Sequence, residues 1–108
     1  MKIVMTTVNN EKVCKDIINQ LINDKVAACI NVMNTTSTYI WMGKVVTENE
    51  YLLIIKTSDS KEKKLIKKLE KIHPYDTPEI ITFEPDKVSK KYLKYINESS
   101  KRPFKKNL

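Results

Sequence analysis

The chain has 108 residues, a net charge of +7, 41% hydrophobic and 31% charged residues, and a single glycine. This length and composition predict one globular domain with a real core, and they exclude collagen-like and low-complexity classes. No apolar stretch reaches the roughly 18 residues of a membrane span, and the first residues lack the layout of a signal peptide, so we expect a cytoplasmic protein. Two cysteines, Cys14 and Cys29, are too few for a disulfide framework and are expected to be reduced thiols.

The positive charge is concentrated in the second half of the chain. Residues 1–60 carry six lysines and six acidic residues, whereas residues 61–108 carry the whole excess. A basic half can attract nucleic acid or an anionic surface. Because neither an arginine cluster nor interleaved aromatic residues accompany the lysines, the pattern favours a solvated helix face. We therefore expect neither a nucleic-acid partner nor a membrane partner.

The first elements are a strand and a helix. Residues 2–8 are typical of a short strand, and either Asn9 or Asn10 can cap the helix that follows. In that helix, apolar residues recur four apart from Val13 to Ile22, which predicts one buried stripe.

A long hairpin follows. If residues 28–41 are all extended, they span about 46 Å at ~3.3 Å per residue, against a diameter of roughly 34 Å for a globule of this size. Gly43 marks the tight turn, and residues 45–57 form the returning strand. An overhanging ribbon with Tyr39 and Trp41 near its tip predicts a closed homo-oligomer. The alternative is a loop at residues 34–37 between two ordinary strands.

The second half of the chain again alternates helices with a strand. Asp59, followed by Glu62, predicts the N-cap of a second helix that ends before Pro74. A strand at residues 79–83 and a helix capped by Ser89 complete the order β-α-β-β-α-β-α. This order predicts an α+β, ferredoxin-like βαββαβ sandwich with an extra C-terminal helix. We expect a single domain over residues 1–99 and a basic, frayed tail over residues 100–108.

The densest group of reactive residues is the segment His73-Pro74-Tyr75-Asp76-Thr77-Pro78-Glu79. Its two prolines make it stiff. His73 could act as base, acid or metal ligand, or simply as a cap. Cys29 could join it as a soft ligand or be a structural thiol. Since the chain has no ligand pair at a recognised short spacing, a metal site would need distant or inter-subunit ligands. No P-loop, dinucleotide fingerprint, nucleophile elbow or HExxH motif is present.

Several motifs together resemble one known family. They are Ala27-Ala28-Cys29-Ile30-Asn31-Val32, Thr36-Ser37-Thr38-Tyr39-Ile40-Trp41-Met42-Gly43-Lys44, Leu53-Ile54-Ile55-Lys56-Thr57, the segment from His73 to Ile81, and Tyr92-Leu93-Lys94-Tyr95-Ile96. From Ile3 to about Ser99 the chain resembles the CutA divalent-cation tolerance proteins. Departures from the family pattern fall at Asn34-Thr35, Val88-Ser89 and Tyr95.

The resemblance implies a tight homotrimer of ferredoxin-like subunits that is linked to copper binding and to tolerance of divalent cations. The metal ligands that it implies are Cys29, His73 and, as a weaker choice, Glu79, for Cu²⁺ or another divalent cation that is not tightly held. The residues expected to line inter-subunit clefts are Tyr39, Trp41, Lys56, Tyr75 and Tyr92.

Three functions follow from these expectations. The favoured one is a non-enzymatic, trimeric protein that binds divalent cations and takes part in their homeostasis. The second is a module resembling the PII signalling proteins, in which Lys56 supplies charge for a small anionic ligand in the clefts. The third is an enzyme in which His73 and Glu79 transfer protons.

Overall fold

A computed structural model describes residues 1–101 of the chain. The strands are β1 (Lys2–Val8), β2 (Cys29–Trp41), β3 (Lys44–Thr57) and β4 (Ile81–Phe83), and the helices are α1 (Glu11–Asn23), α2 (Glu62–Ile72) and α3 (Lys90–Lys101). The four strands form one antiparallel sheet in the order β2-β3-β1-β4. This is the predicted ferredoxin-like arrangement with an added C-terminal helix. No helix of the described part is long and apolar enough to cross a membrane.

The core lies between one face of the sheet and the helices α1 and α2. Alternate residues of β1 and β3 are fully buried there, as are the apolar stripes of both helices. Its largest members are Val4, Val8, Ile17, Leu21, Leu53, Ile55, Leu65 and Leu69. At about 25 cal/mol per Å² of apolar surface removed from water, these side chains supply the main driving force for folding.

The helix ends follow the sequence prediction in part. Asn10 caps α1, since its side-chain oxygen accepts a hydrogen bond from the Val13 backbone N–H at 3.0 Å. The predicted capping role of Asp59 is wrong. Asp59 lies in a 3-10 turn before α2, and its carboxylate accepts from the N-terminal ammonium at 2.6 Å instead. The stop at Pro74 is confirmed, because His73 leaves the helical region at φ −69° and ψ 133°.

The hairpin of β2 and β3 is continuous. Pairing runs without a break from Cys29 opposite Lys56 to Trp41 opposite Lys44, so the alternative of a loop at residues 34–37 is wrong. Met42 (φ 51°) and Gly43 (φ 76°) form the two-residue turn, where positive φ at both positions suits the strand twist. The molecule measures 50 × 29 × 22 Å, which confirms that the hairpin extends beyond the body.

The last strand and helix differ in extent from the prediction. Strand β4 pairs only over Ile81–Phe83, two residues shorter than the predicted strand at 79–83. Helix α3 begins after Ser89 and continues past residue 99, where Ser100 is buried and donates to the Ile96 carbonyl at 2.9 Å. Residues 102–108 of the predicted tail lie outside the described residues.

Candidate functional site

A cavity of about 660 Å³ lies on the sheet face opposite α1 and α2, between the hairpin and the segment that follows α2. Its lining combines residues of β1, β2 and β3 with that segment: Thr7, Asn9, Ser37, Thr38, Tyr39, Trp41, Glu48, Glu50, Tyr75, Asp76, Thr77 and Glu79. Four residues singled out from the sequence therefore meet in one place, namely Tyr39, Trp41, Tyr75 and Glu79. A concave site of this size with converging polar groups is the usual form of a ligand pocket.

His73 anchors the segment that forms one wall of the cavity. Its side chain is buried, with Nε2 lying 3.0 Å from the Thr7 carbonyl oxygen, and Nδ1 accepting from the Tyr75 backbone N–H at 3.1 Å. A carbonyl only accepts and an N–H only donates, so this network assigns the neutral tautomer with its proton on Nε2. Burial lowers the pKa of His73, which favours the same neutral form. Both ring nitrogens are thus occupied by backbone partners.

Two tyrosine–glutamate pairs line the cavity, one within the hairpin and one between the hairpin and the segment that follows α2. The Tyr75 hydroxyl donates to Glu50 Oε2 at 2.8 Å, and the Tyr39 hydroxyl donates to Glu48 Oε1 at 2.7 Å. Burial, followed by the hydrogen bond to Glu50, raises the pKa of Tyr75, while the bond to Glu48 raises the pKa of Tyr39. Both phenols therefore remain protonated donors at neutral pH.

The cavity is strongly acidic. Its lining contains the carboxylates of Glu48, Glu50, Asp76 and Glu79, and no lysine or arginine of residues 1–100. Among residues 1–100, none of these four carboxylates has a cationic nitrogen within 4.0 Å. Glu50 is only 6% exposed, so its charge is largely removed from water with a neutral phenol as its hydrogen-bond donor. The field in this cavity attracts cations and repels anions.

The other predicted site residues lie elsewhere on the sheet. Cys29 is paired with Lys56 at the base of the hairpin, and the Lys56 ammonium lies 5.6 Å from the centre of the Tyr92 ring of α3. The register separates Lys56 from Leu52, the partner of Thr7, by four residues, which is about 13 Å along the strand. Lys56 and Tyr92 thus meet each other but do not line the acidic cavity.

This placement bears on metal binding. In the described part of the chain, no three His, Cys, Asp or Glu side chains come together at a metal-sized point. One subunit therefore does not assemble Cys29, His73 and Glu79 into a ligand set. Their role as metal ligands stays a prediction for an assembly in which subunits share ligands.

Comparison with known proteins settles the family. The family model for the CutA1 divalent ion tolerance protein matches residues 2–99. The chain belongs to the CutA1 family. It is 36% identical over 99 residues to a divalent-cation tolerance protein CutA of Thermotoga maritima, covering 92% of this chain and 98% of the relative.

Solved structures of CutA1 proteins share the fold. CutA1 from Pyrococcus horikoshii superposes with a TM-score of 0.90 at 31% identity, covering 94% of this chain and 100% of that one. The PII-like protein CutA from Nostoc, in its apo form, gives a TM-score of 0.87 at 27% identity, covering 93% and 97%. The fold expected from the family resemblance is thereby confirmed.

Several cavity residues escaped sequence reasoning. Glu48 and Glu50 lie two apart on β3, so they share one face of the sheet, but neither was predicted as a site residue. Their alternation with Thr47 and Asn49 is the signal that could have placed two carboxylates on one face. Asp76 lies in the reactive segment from His73 to Glu79, but the sequence predicts no role for it. What the sequence could not supply is the packing of that segment against the hairpin.

Proposed function

We propose that this chain is the subunit of a cytoplasmic homotrimer that binds divalent cations, copper among them, and acts in cation tolerance. The observation that carries the proposal is the hairpin that extends beyond the body of the subunit. Membership of the CutA1 family supports the link to cation tolerance, since the relatives in Thermotoga maritima and Thermus thermophilus are named divalent-cation tolerance proteins.

Self-association is supported by surface that one subunit leaves uncovered. Strands β2 and β4 are the sheet edges, and each has one side without a strand partner among the described residues. At the hairpin tip, Ile40 is 76%, Met42 87% and Val45 75% exposed. Open edges and exposed apolar side chains favour pairing with another copy, and closed symmetry ends that pairing without open growth.

Sharing of ligands between subunits would make the metal site. Thiolate, imidazole and carboxylate donors suit Cu²⁺, so Cys29, His73 and Glu79 are a chemically apt set. His73 would bind metal only by exchanging one of its bonds, to Thr7 or to Tyr75, for the ion. Copper binding would then loosen the segment that lines the acidic cavity.

A second function, binding of a small anion as in PII-like proteins, is favoured by one feature. Lys56 lies beside Tyr92 outside the acidic cavity, where a cation and an aromatic face are available together. A thermal-shift screen of nucleotides and small anions tests it, with a hit expected that Lys56→Ala loses. Proton transfer by His73 and Glu79 is disfavoured, because it would require His73 to give up one of the two backbone partners of its ring.

Sedimentation tests the assembly. We expect a trimer at micromolar concentration, and a shift to smaller species in Ile40→Lys, which places a charge at the apolar tip. Gln20→Lys adds the same charge on the exposed side of α1 and serves as the control. A well-folded monomer of the natural sequence would overturn the proposal.

Calorimetric titration tests the metal ligands. We expect Cu²⁺ affinity to fall at least tenfold in Cys29→Ala and in His73→Gln, which removes the imidazole but keeps a donor and an acceptor. Cys14→Ala is the control, because Cys14 is buried in the core. Equal Cu²⁺ affinity in all four proteins would remove the ligand assignment while leaving the trimer intact.

A further inference from the structure

We infer that the hydrogen bond between the Tyr75 hydroxyl and the Glu50 carboxylate is a latch that keeps Nδ1 of His73 covered. Nδ1 is the one ring nitrogen at which this side chain can bind a cation. Tyr75 and Glu50 are then positioning residues, which act on the site through His73. The inference rests on the proposed function, in which His73 binds metal. It adds to that function the nitrogen that is used and the contact that controls its availability.

The hydrogen bonds of the imidazole determine which nitrogen is available. Nε2 carries the proton and donates to the Thr7 carbonyl at 3.0 Å, so it has no free lone pair. The lone pair is on Nδ1, where it accepts from the Tyr75 backbone N–H at 3.1 Å. Use of Nε2 would require the other tautomer, which places a proton on Nδ1 against the Tyr75 N–H and breaks both bonds. Use of Nδ1 breaks only the bond to Tyr75.

The bond to Thr7 has the form that supports a histidine ligand. Histidines that bind metals usually donate their other ring N–H to a carbonyl or a carboxylate, which fixes the ring. Thr7 is paired with Leu52 in the sheet, whereas β4 pairs with β1 only from Ile3 to Met5. His73 therefore donates to a fixed strand, beyond the last β1–β4 pair. This bond can remain when Nδ1 is released.

The backbone at Tyr75 is held by side chains. Residues 74–79 lie outside the helices and strands, and none of the backbone–backbone hydrogen bonds within residues 1–100 involves them. Tyr75 instead donates its N–H to His73, packs its ring edge-on against the imidazole at 4.8 Å, and donates its hydroxyl to Glu50 at 2.8 Å. Because Glu50 belongs to β3, this last bond ties Tyr75 to the sheet.

The chemistry of Glu50 makes the latch effective. Its carboxylate is buried, so water competes little for the phenol. Hydrogen bonds to charged groups are stronger than those between neutral groups, and one of them shifts an opening equilibrium by about tenfold or more. A ligand that needs the open form binds with an affinity reduced by the fraction of protein that is open. The latch therefore lowers the apparent affinity of His73 for cations.

Amide hydrogen exchange of the metal-free protein tests the latch. Tyr75→Phe removes the phenol hydroxyl and keeps the ring, and we expect the amide at position 75 to exchange about tenfold faster or more. Tyr95→Phe removes the same group from an exposed position outside the cavity and should leave the rate at position 75 unchanged. An unchanged rate at position 75 in Tyr75→Phe would overturn the inference.

Low concentrations of guanidinium show whether the opening is local. The rate at position 75 should not depend on them, because local opening exposes little surface. The amide of Ile55, buried in the core, should exchange faster as guanidinium is added. Exchange at position 75 that follows Ile55 would mean that the segment opens only on global unfolding, and the latch would be refuted.

Calorimetric titration with Cu²⁺ tests the effect on the site. Because the open form is more populated in Tyr75→Phe, we expect this variant to bind Cu²⁺ about tenfold more tightly than the natural protein. A purely structural role of Tyr75 would leave the affinity unchanged or lower it, and either result would overturn the inference. If Tyr75→Phe does not fold, Glu50→Gln, which weakens the bond by removing the charge, takes its place in the exchange experiment, with an expected increase of about threefold or more.

Failure of the latch and failure of metal binding are distinguishable, because the exchange experiment contains no metal. Faster exchange at position 75 in Tyr75→Phe, with no Cu²⁺ binding in any protein, would count against the metal function and leave the contact between Tyr75 and Glu50 as described. Cu²⁺ binding that His73→Gln weakens, with an unchanged exchange rate in Tyr75→Phe, would count against the latch alone.

Discussion

The clearest mechanical prediction concerns His73, whose ring joins two parts of the backbone. In His73→Ala, the Thr7 carbonyl and the Tyr75 N–H both lose their imidazole partner. A buried polar group left without a partner costs about 1–3 kcal/mol. Because both bonds are partly buried and the ring also packs edge-on against Tyr75 at 4.8 Å, we expect the free energy of unfolding to fall by about 2–4 kcal/mol.

His73 also makes the free energy of unfolding depend on pH. Burial lowers the pKa of His73 in the folded protein below its ordinary value of about 6.5, so the unfolded chain binds the proton more tightly. The stabilisation by neutral His73 is therefore complete above about pH 6.5, and it is lost as the pH falls through the folded pKa. His73→Gln retains a donor and an acceptor but cannot titrate in this range.

Guanidinium unfolding at several pH values, at one protein concentration because oligomer stability depends on it, measures both effects. Below about pH 6.5, the natural protein should lose the part of its free energy of unfolding that depends on neutral His73. We expect this loss to be absent in His73→Gln. A change below about 0.5 kcal/mol in His73→Ala, within the range of ordinary surface substitutions, would refute the structural role. If the free energy of unfolding of His73→Gln falls with acid as steeply as that of the natural protein, the assigned pH dependence is wrong.

Two further predictions use matched pairs of variants. Tyr75→Phe leaves the buried Glu50 without its phenol donor and should lower the free energy of unfolding by about 1–3 kcal/mol, whereas Tyr39→Phe, at the exposed hairpin, should lower it less. Equal losses in urea unfolding would contradict the assigned burial. Asn10→Ala should cost about 1 kcal/mol by removing the cap of α1, and Asn9→Ala should cost less. A larger loss in Asn9→Ala, measured in the same way, would show that the cap has been misassigned.

Much of the fold could be predicted because its signals are local. Apolar residues four apart define α1 and α2, and a single glycine marks the turn of a hairpin whose length alone requires an overhang. The predicted cap at Asp59 failed for a reason that no local pattern carries. The N-terminal ammonium, 58 residues away in sequence, arrives beside the carboxylate only after β1 has joined the sheet.

The site was predictable only in part for the same reason. The segment from His73 to Glu79 was conspicuous because prolines and reactive side chains are adjacent in sequence. Its partner Glu50 lies 25 residues before Tyr75 and reads as an ordinary polar strand residue. Only the fold shows that this glutamate is buried, and burial is what turns a common side chain into an unbalanced charge.

The sheet register also orders the events of folding. Pairing of β2 with β3 starts across a two-residue turn, so each new pair closes a minimal loop next to the last one. Pairing of β1 with β4 joins Ile3 to Phe83, which are 80 residues apart in a chain of 108, across three residue pairs. Because closing a long loop costs entropy that few contacts can offset, the hairpin should zip early and β4 should dock last. During folding, the β2–β3 hairpin would thus be formed and exposed before β4 completes the other edge of the sheet.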